Sequence, residues 1–225
     1  MTGETPVPTH RGRLRPLRSI SSGAPASHPP LVSIAIPLYR SAPWVQNILQ
    51  NIANVEYPNV EIFISDRHCA DDALAALEQQ LREDPRITFI RATDGLTWVE
   101  HYNELLRLGR GVYFMWMPHD DIYPPDYTDR LVAQLERNRD SIGAFGRLEA
   151  LGDDGRPVLR LHDPRMYGGR HSRAVTAWRW LLFSDIFVPV RGLFRREQLV
   201  AAKLFFRPTL DKDRKSTRLN SSHRL

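Results

Sequence analysis

Two stretches of this chain put carboxylates directly behind apolar runs. Residues 60–65 read VEIFIS and lead into Asp66, while residues 112–117 read VYFMWM and pass through Pro118 into His119, Asp120 and Asp121. A third apolar run, 31–37, ends at Pro37 and is followed by Tyr39 and Arg40. Carboxylates at strand ends can hold a hard divalent cation and hydrogen-bond a ribose or a base. Such a cation, together with helix dipoles, neutralises a diphosphate. The same residues also carry plainer readings. Asp120 and Asp121, just before Pro124, suit a helix N-terminus, and Asp66 suits an ordinary turn. His68 and His119 read as polar loop residues, and Cys69 lacks the His-Asp pattern of a nucleophile.

The elements that would position these residues alternate. The run 31–37, apolar save for Ser33, reads as a strand buried on both faces. Ser41 and Pro43 suit a helix start, and Val45, Ile48, Leu49 and Ile52 recur at helical spacing. A second strand follows at 60–65, and a second helix carries Leu74, Leu77 and Leu81. A short third strand lies at 87–90, and a third helix runs over 98–108, closed by Gly109 and Gly111. A fourth strand covers 112–117, and Pro124 opens a fourth helix through Tyr127, Leu131 and Leu135. A fifth strand covers 142–150, with a turn at 152–155 and a partner near Val158. Strands separated by helices predict a mostly parallel sheet, with ligands beyond the carboxyl ends of its strands. No GxGxxG, GxxxxGK, HExxH or GxSxG occurs, which disfavours a dinucleotide fold and a P-loop. Trp44, Trp98 and Trp116 read as core. Trp178 and Trp180 read equally as core or as sugar platforms. The cluster of Arg191, Arg195 and Arg196 reads as a solvated turn, with phosphate contact as its alternative.

LVSIAIPLYR, then VEIFISD, then VYFMWMPHDDIYPPDYTDRLVAQLE resembles the family-2 glycosyltransferases. The three elements fall in that family's order and spacing, closely over residues 31–150 and loosely over 151–212. The resemblance implies an α/β, GT-A (Rossmann-like) three-layer fold with a mostly parallel central sheet. It implies a nucleotide-binding half at 31–125 and an acceptor half at 126–212. By position, Pro37 and Tyr39 would lie along the nucleotide base, and Asp66 would accept from the base ring N–H. Asn103 would lie near the ribose and phosphates. Asp120 would sit near the ribose and the metal, and Asp121 would ligate Mg2+ or Mn2+. Asp211 is the last candidate for the general base, with Asp185 behind it. The implied activity is inverting, metal-dependent transfer from a nucleotide-sugar, UDP-linked, to a glycan or lipid-linked acceptor of the cell-envelope kind. Departures from the pattern are Arg40 in place of Asn, Arg67-His68-Cys69 in place of Asp-Gly-Ser, Tyr102 in place of Arg, and Pro118 in place of the first Asp. They keep open a rival reading, a non-catalytic nucleotide-binding module or an inactive truncated fragment.

The 225 residues suit one domain, and 42% hydrophobic content excludes a wholly disordered chain. One cysteine excludes a disulfide framework. The net charge of +5 is gathered at the ends: residues 1–30 and 213–225 each sum to +3, leaving −1 for the body. A basic face for nucleic acid is therefore not expected. Residues 1–30, with six prolines, read as a disordered leader. Residues 213–223 read DRKSTRLNSSH, which resembles the translation of a common sequencing adapter. This predicts that the natural frame is cut near Lys212 and that 213–225 is an artefact. No apolar run is long enough to span a membrane, and no secretory signal is recognisable. The expectation is a cytoplasmic enzyme, peripheral to the membrane where its acceptor is lipid-linked.

Overall fold

Every residue of strand β1 (Val32–Leu38) is buried. In a computed structural model that describes residues 28–67, 71–92, 95–152, 156–162 and 189–201, β1 forms the centre of a six-stranded sheet. On one side it pairs in parallel with β2 (Val60–Asp66), and β2 pairs in parallel with β3 (Ile87–Arg91). On its other side it pairs in parallel with β4 (Tyr113–Trp116). Two further strands, β5 (Gly143–Ala144) and β8 (Leu193–Arg195), complete the order β3-β2-β1-β4-β8-β5, with β8 antiparallel to both neighbours. A separate antiparallel pair is formed by β6 (Leu148–Leu151) and β7 (Pro157–His162). The sheet is mostly parallel and lies between helices, the α/β class expected.

Alternation along β1 divides the core into two layers. Val32, Ile34, Ile36 and Leu38 pack with α1 (Val45–Ala53), α2 (Ala73–Leu81) and α4 (Tyr127–Arg137). Ala35, Phe63, Phe114 and Trp116 pack on the opposite face, against Leu105 and Leu106 of α3 (Trp98–Leu108) and Leu199 of α5 (Arg196–Ala201). The helix α3 has the bounds expected of it, 98–108. A capping box fixes its start: Thr97 accepts from the Glu100 amide, and the Glu100 carboxylate accepts from the Thr97 amide.

Several local expectations are corrected. The first helix is preceded by a 3-10 turn at Ala42–Trp44 that contains Pro43, and Ser41 does not cap it. Instead the Ser41 hydroxyl accepts from the Tyr39 amide at 2.9 Å. Pro124 does not open α4, which begins at Tyr127, because Pro125 disfavours helical backbone at the residue before it. The strand expected over 142–150 is two strands, β5 and β6. Gly109 has φ −59°, so it is no left-handed cap. Close packing selects glycine here: a Cβ on Gly111 would stand 2.5 Å from the Tyr113 carbonyl and 2.7 Å from the Ser33 amide. Of the proposed leader, Pro29 and Pro30 are tied to the fold, their carbonyls accepting from Asn59 Nδ2 and Tyr57 Oη at 2.8 Å each. Residues 1–27, Trp178, Trp180, Asp185, Asp211 and 213–225 lie outside the described residues.

The amino ends of the strands hold a buried carboxylate. Glu61 Oε1 accepts from the Ser33 hydroxyl and the Arg110 amide, both at 2.6 Å, and Oε2 accepts from Arg110 Nε at 2.9 Å. The Ser33 oxygen accepts in turn from the Gly111 amide. Burial pushes the Glu61 carboxyl up, but these donors together hold it below its ordinary value. A depressed carboxyl stabilises the fold fully above its unfolded pKa and loses that contribution as pH falls through the folded value. Glu61→Gln is expected to cost about 2 kcal/mol at pH 7. That cost should shrink in urea titrations as the pH falls below the ordinary glutamate value of 4.5. A cost independent of pH would contradict the assignment.

Candidate functional site

The chain runs outward from β1 through β2 and β3, then returns to the other side of β1 as β4. The reversal lies between β1 and β4, the position where open α/β sheets bind ligands beyond their carboxyl ends. Three of the singled-out loops meet at this rim. Leu38 is in register with Asp66, and Pro37 with Ser65. His119 Nδ1 lies 3.4 Å from the Pro37 carbonyl, which brings the loop after β4 onto the end of β1. The Tyr102 hydroxyl, from α3, lies in the combined field of Asp120, Asp121, Arg191 and Arg67. Burial and the aspartates push it well above an ordinary tyrosine.

The loop carrying Asp120 and Asp121 is held by three asparagines of α1 and its C-terminus. Asn47 Nδ2 donates to the carbonyls of His119 and Asp121, both at 2.8 Å. Asn51 Nδ2 donates to the Asp121 carbonyl at 2.7 Å, and its Oδ1 accepts from the Tyr123 amide at 3.0 Å. Asn54 Nδ2 donates to the Tyr123 carbonyl at 2.9 Å. Spacings of four and three place these amides on one helix face. The sequence reading missed them. Their signal was an amide repeat beside the apolar stripe of Ile48 and Ile52.

Asp121 is mostly buried, and its Oδ2 accepts from Arg191 Nε. Arg191 ends the 3-10 turn Pro189–Arg191. Its carbonyl accepts from the Tyr127 hydroxyl at 3.0 Å, and that hydroxyl accepts from the Gly146 amide at 3.1 Å. Burial pushes the Asp121 carboxyl up and the guanidinium opposes the shift, while Asp121 holds Arg191 more firmly protonated. Each charge is tolerable in this crevice because of the other. The expected solvated turn is thus corrected. Arg195 donates to the carbonyls of Ser141 and Leu135, and Arg196 donates to the carbonyls of Leu106 and Arg107 at the end of α3.

This chain belongs to glycosyl transferase family 2. The family's description matches residues 33–196. An uncharacterized glycosyltransferase of Haemophilus influenzae is 32% identical over 117 residues, covering 52% of this chain and 36% of that protein. Chondroitin synthase of Escherichia coli is 28% identical over 110 residues, 48% of this chain and 16% of that enzyme. The matched stretch is therefore only part of each relative's length. Among solved structures, residues 1–349 of Staphylococcus aureus TarS superpose with a TM-score of 0.58 at 18% identity, covering 78% of this chain and 50% of that one. The mannosyltransferase PcManGT of Pyrobaculum calidifontis, in complex with GDP-Man and Mn2+, superposes with a TM-score of 0.56 at 20% identity, covering 78% and 47%. These likenesses establish the GT-A fold.

The residues singled out in the sequence fall as follows. Pro37 lies in β1, and Tyr39 follows it, 48% exposed, with the Arg67 guanidinium 4.8 Å over its ring. Asp66 is buried at the end of β2, and Asn103 is buried on α3. Beneath Asp66, Ser65 and His101 form a buried hydrogen bond of 2.8 Å, and burial lowers the His101 pKa to about 4. Trp116 is core, but Trp44 is not: it is 41% exposed and tilted against His119 at 6.3 Å. Arg40, where the family has Asn, is the one described non-glycine residue with positive φ, +53°. Asparagine adopts that left-handed backbone at less cost than arginine.

Among the described residues no group of three or more His, Cys, Asp or Glu is arranged to hold a metal ion. The exposed Asp120 and its neighbour Asp121 supply adjacent hard oxygen donors. Two carboxylates fit a cation of the Mg2+ type, which keeps waters and phosphate oxygens for the rest of its shell. They do not fit a metal caged by protein alone.

Two stability outcomes follow from this geometry. Arg40→Asn should raise the urea midpoint, a gain of about 1 kcal/mol from relieved backbone strain; an unchanged or lower midpoint would count against strain at this position. Asn51→Ala leaves the Tyr123 amide without its acceptor and should cost about 2 kcal/mol, whereas a cost within error would show the clamp to be incidental.

Proposed function

We propose that this domain transfers a sugar from a nucleotide-sugar donor, UDP-linked, to a hydroxyl of a glycan or lipid-linked acceptor, with inversion at the anomeric carbon. The observation that carries the reading is the meeting of Asp66 and the Asp120-Asp121 loop at one rim, across the end of β1. The Mn2+ and GDP-Man in the mannosyltransferase complex add support for a cation and a nucleotide-sugar.

In this reading Tyr39 stacks along the base, its ring already flanked by the Arg67 guanidinium. Asp66 accepts from the base ring N–H, and its burial makes that hydrogen bond selective against a base lacking the donor. Asn103 and Asp120 face the ribose and phosphates. Asp121, with Asp120, would hold Mg2+ or Mn2+, which when bound would supply Lewis-acid stabilisation of the departing diphosphate. The acceptor oxygen attacks the anomeric carbon as the bond to the diphosphate breaks. A carboxylate takes the acceptor proton, and Asp211 is the candidate for that role. The chain is read as a donor-binding half at 31–125 and an acceptor half at 126–212.

One observation favours a second reading, nucleotide binding without turnover: Oδ2 of Asp121 is already engaged by Arg191. Calorimetric titration of UDP separates the cation assignment from both. Mn2+ is expected to tighten UDP binding at least about tenfold, a coupling within the ordinary range, and Asp121→Ala should abolish that gain. Binding that ignores Mn2+ and survives the substitution unchanged would reject the cation role. Release of free sugar from a UDP-sugar, or transfer to any acceptor, would exclude the non-catalytic reading.

A further inference from the structure

The Arg191–Asp121 pair places a permanent cation on the carboxylate that the proposed function gives to a metal. Both side chains are about four-fifths buried, with 22% and 20% of their surface exposed. The backbone of Arg191 is fixed by Tyr127, itself tied to Gly146. An arginine side chain is long enough to change rotamer while its backbone stays anchored, which would take the guanidinium from Oδ2 with the turn in place. Tyr102, which feels Asp120, Asp121 and Arg191 together, marks the space they share.

Formal charges describe what each arrival does to this crevice. The empty rim, with Asp120, Asp121 and Arg191, carries −1. A divalent cation alone would reverse that to about +1 and press against the guanidinium, in a partly buried site where like charges repel strongly. The two charges of a nucleotide-sugar diphosphate alone would deepen it to about −3. Cation and diphosphate arriving together restore about −1, and the diphosphate offers the displaced guanidinium a planar, bidentate partner.

We propose that Arg191 is a displaceable counter-cation that makes cation entry conditional on nucleotide: it neutralises Asp121 in the empty site and moves to the diphosphate when donor and cation bind. This rests on the donor-binding reading above and goes beyond it by assigning an order-imposing role to a residue 70 positions downstream of Asp121. Arg191 is a positioning residue, and it acts through Asp121.

Solution EPR of free Mn2+ tests this in the full chain, with and without UDP. In the parent protein UDP should tighten Mn2+ binding about tenfold or more, and Mn2+ should tighten UDP equally. Arg191→Met should bind Mn2+ about tenfold more tightly than the parent when UDP is absent, and the gain from UDP should shrink by a similar factor. A merely structural arginine would not produce a variant that binds metal better. Arg191→Lys, which keeps a charge but lacks the fork, serves if the methionine variant does not unfold cooperatively; about a threefold tightening is expected. Tighter Mn2+ binding in either variant supports the proposal. Unchanged or weaker Mn2+ binding, alongside intact coupling in the parent, overturns it and leaves the donor reading standing. Absence of any coupling between UDP and Mn2+ in the parent overturns both the proposal and the cation assignment on which it rests.

Discussion

A loop can present two adjacent carboxylates at a sheet rim only if its own peptide groups are satisfied away from water. In this chain that requirement falls on α1. The amides of Asn47, Asn51 and Asn54 accept or donate at the peptides of His119, Asp121 and Tyr123. A helix packed by Ile48 and Ile52 on the same layer as β1 thereby sets where the β4 loop stands. The carboxylates inherit their position from a helix more than sixty residues earlier. Backbone satisfied in this way does not need the side-chain oxygens of Asp120 and Asp121 for local capping, which leaves Asp121 to its pairing with Arg191.

The two ends of the sheet treat buried negative charge in opposite ways. At the amino ends Glu61 receives donors from Ser33 and from both the backbone and side chain of Arg110. Saturated acceptors in low dielectric are structural: nothing can enter without breaking several charge-assisted bonds. At the carboxyl ends Asp121 receives one guanidinium and a long contact from the Tyr123 hydroxyl at 3.5 Å. A carboxylate paired once retains unused lone pairs. The contrast separates a residue that locks the fold from one whose partner is exchangeable.

Those features that depend on local burial were legible in the sequence. The runs forming β1, β2 and β4 are mostly apolar because both faces of a central parallel strand are covered, with Ser33, Glu61, Ser65 and Asp66 as the buried polar exceptions. The span of α3 was legible as 98–108, closed by Gly109 and Gly111. Asp66 and Asp120-Asp121 were legible as strand-end acids, and their meeting at one rim follows from the strand order. What was hidden depends on long-range pairing. Nothing near Arg191 announces a partner seventy residues away, and an arginine between Val190 and Gly192 looks like any surface turn. Trp44 lies in a 3-10 turn before the periodic part of α1, so helical spacing could not tell that its ring stays outside. Three asparagines on α1 had a visible spacing, but their role exists only once the β4 loop lies against them.

The segment that brings Arg191 also closes the sheet. The strand β8 inserts antiparallel between β4 and β5, and Arg195 and Arg196 bind carbonyls at the ends of α4 and α3. Phe194 meets Trp116 edge-on at 6.4 Å, and Trp116 stacks with Tyr102 at 6.1 Å. A continuous packed path therefore joins the downstream part of the chain to the tyrosine between the aspartates and the arginines. Packed aromatic contacts of this kind resist small displacements because interiors are near crystalline density. The position of Arg191 is set by the same anchorage that completes the sheet. The Asp120-Asp121 loop and the downstream segment are for this reason coupled: without Arg191, Asp121 would be a buried charge with no counter-ion, a strongly destabilised state.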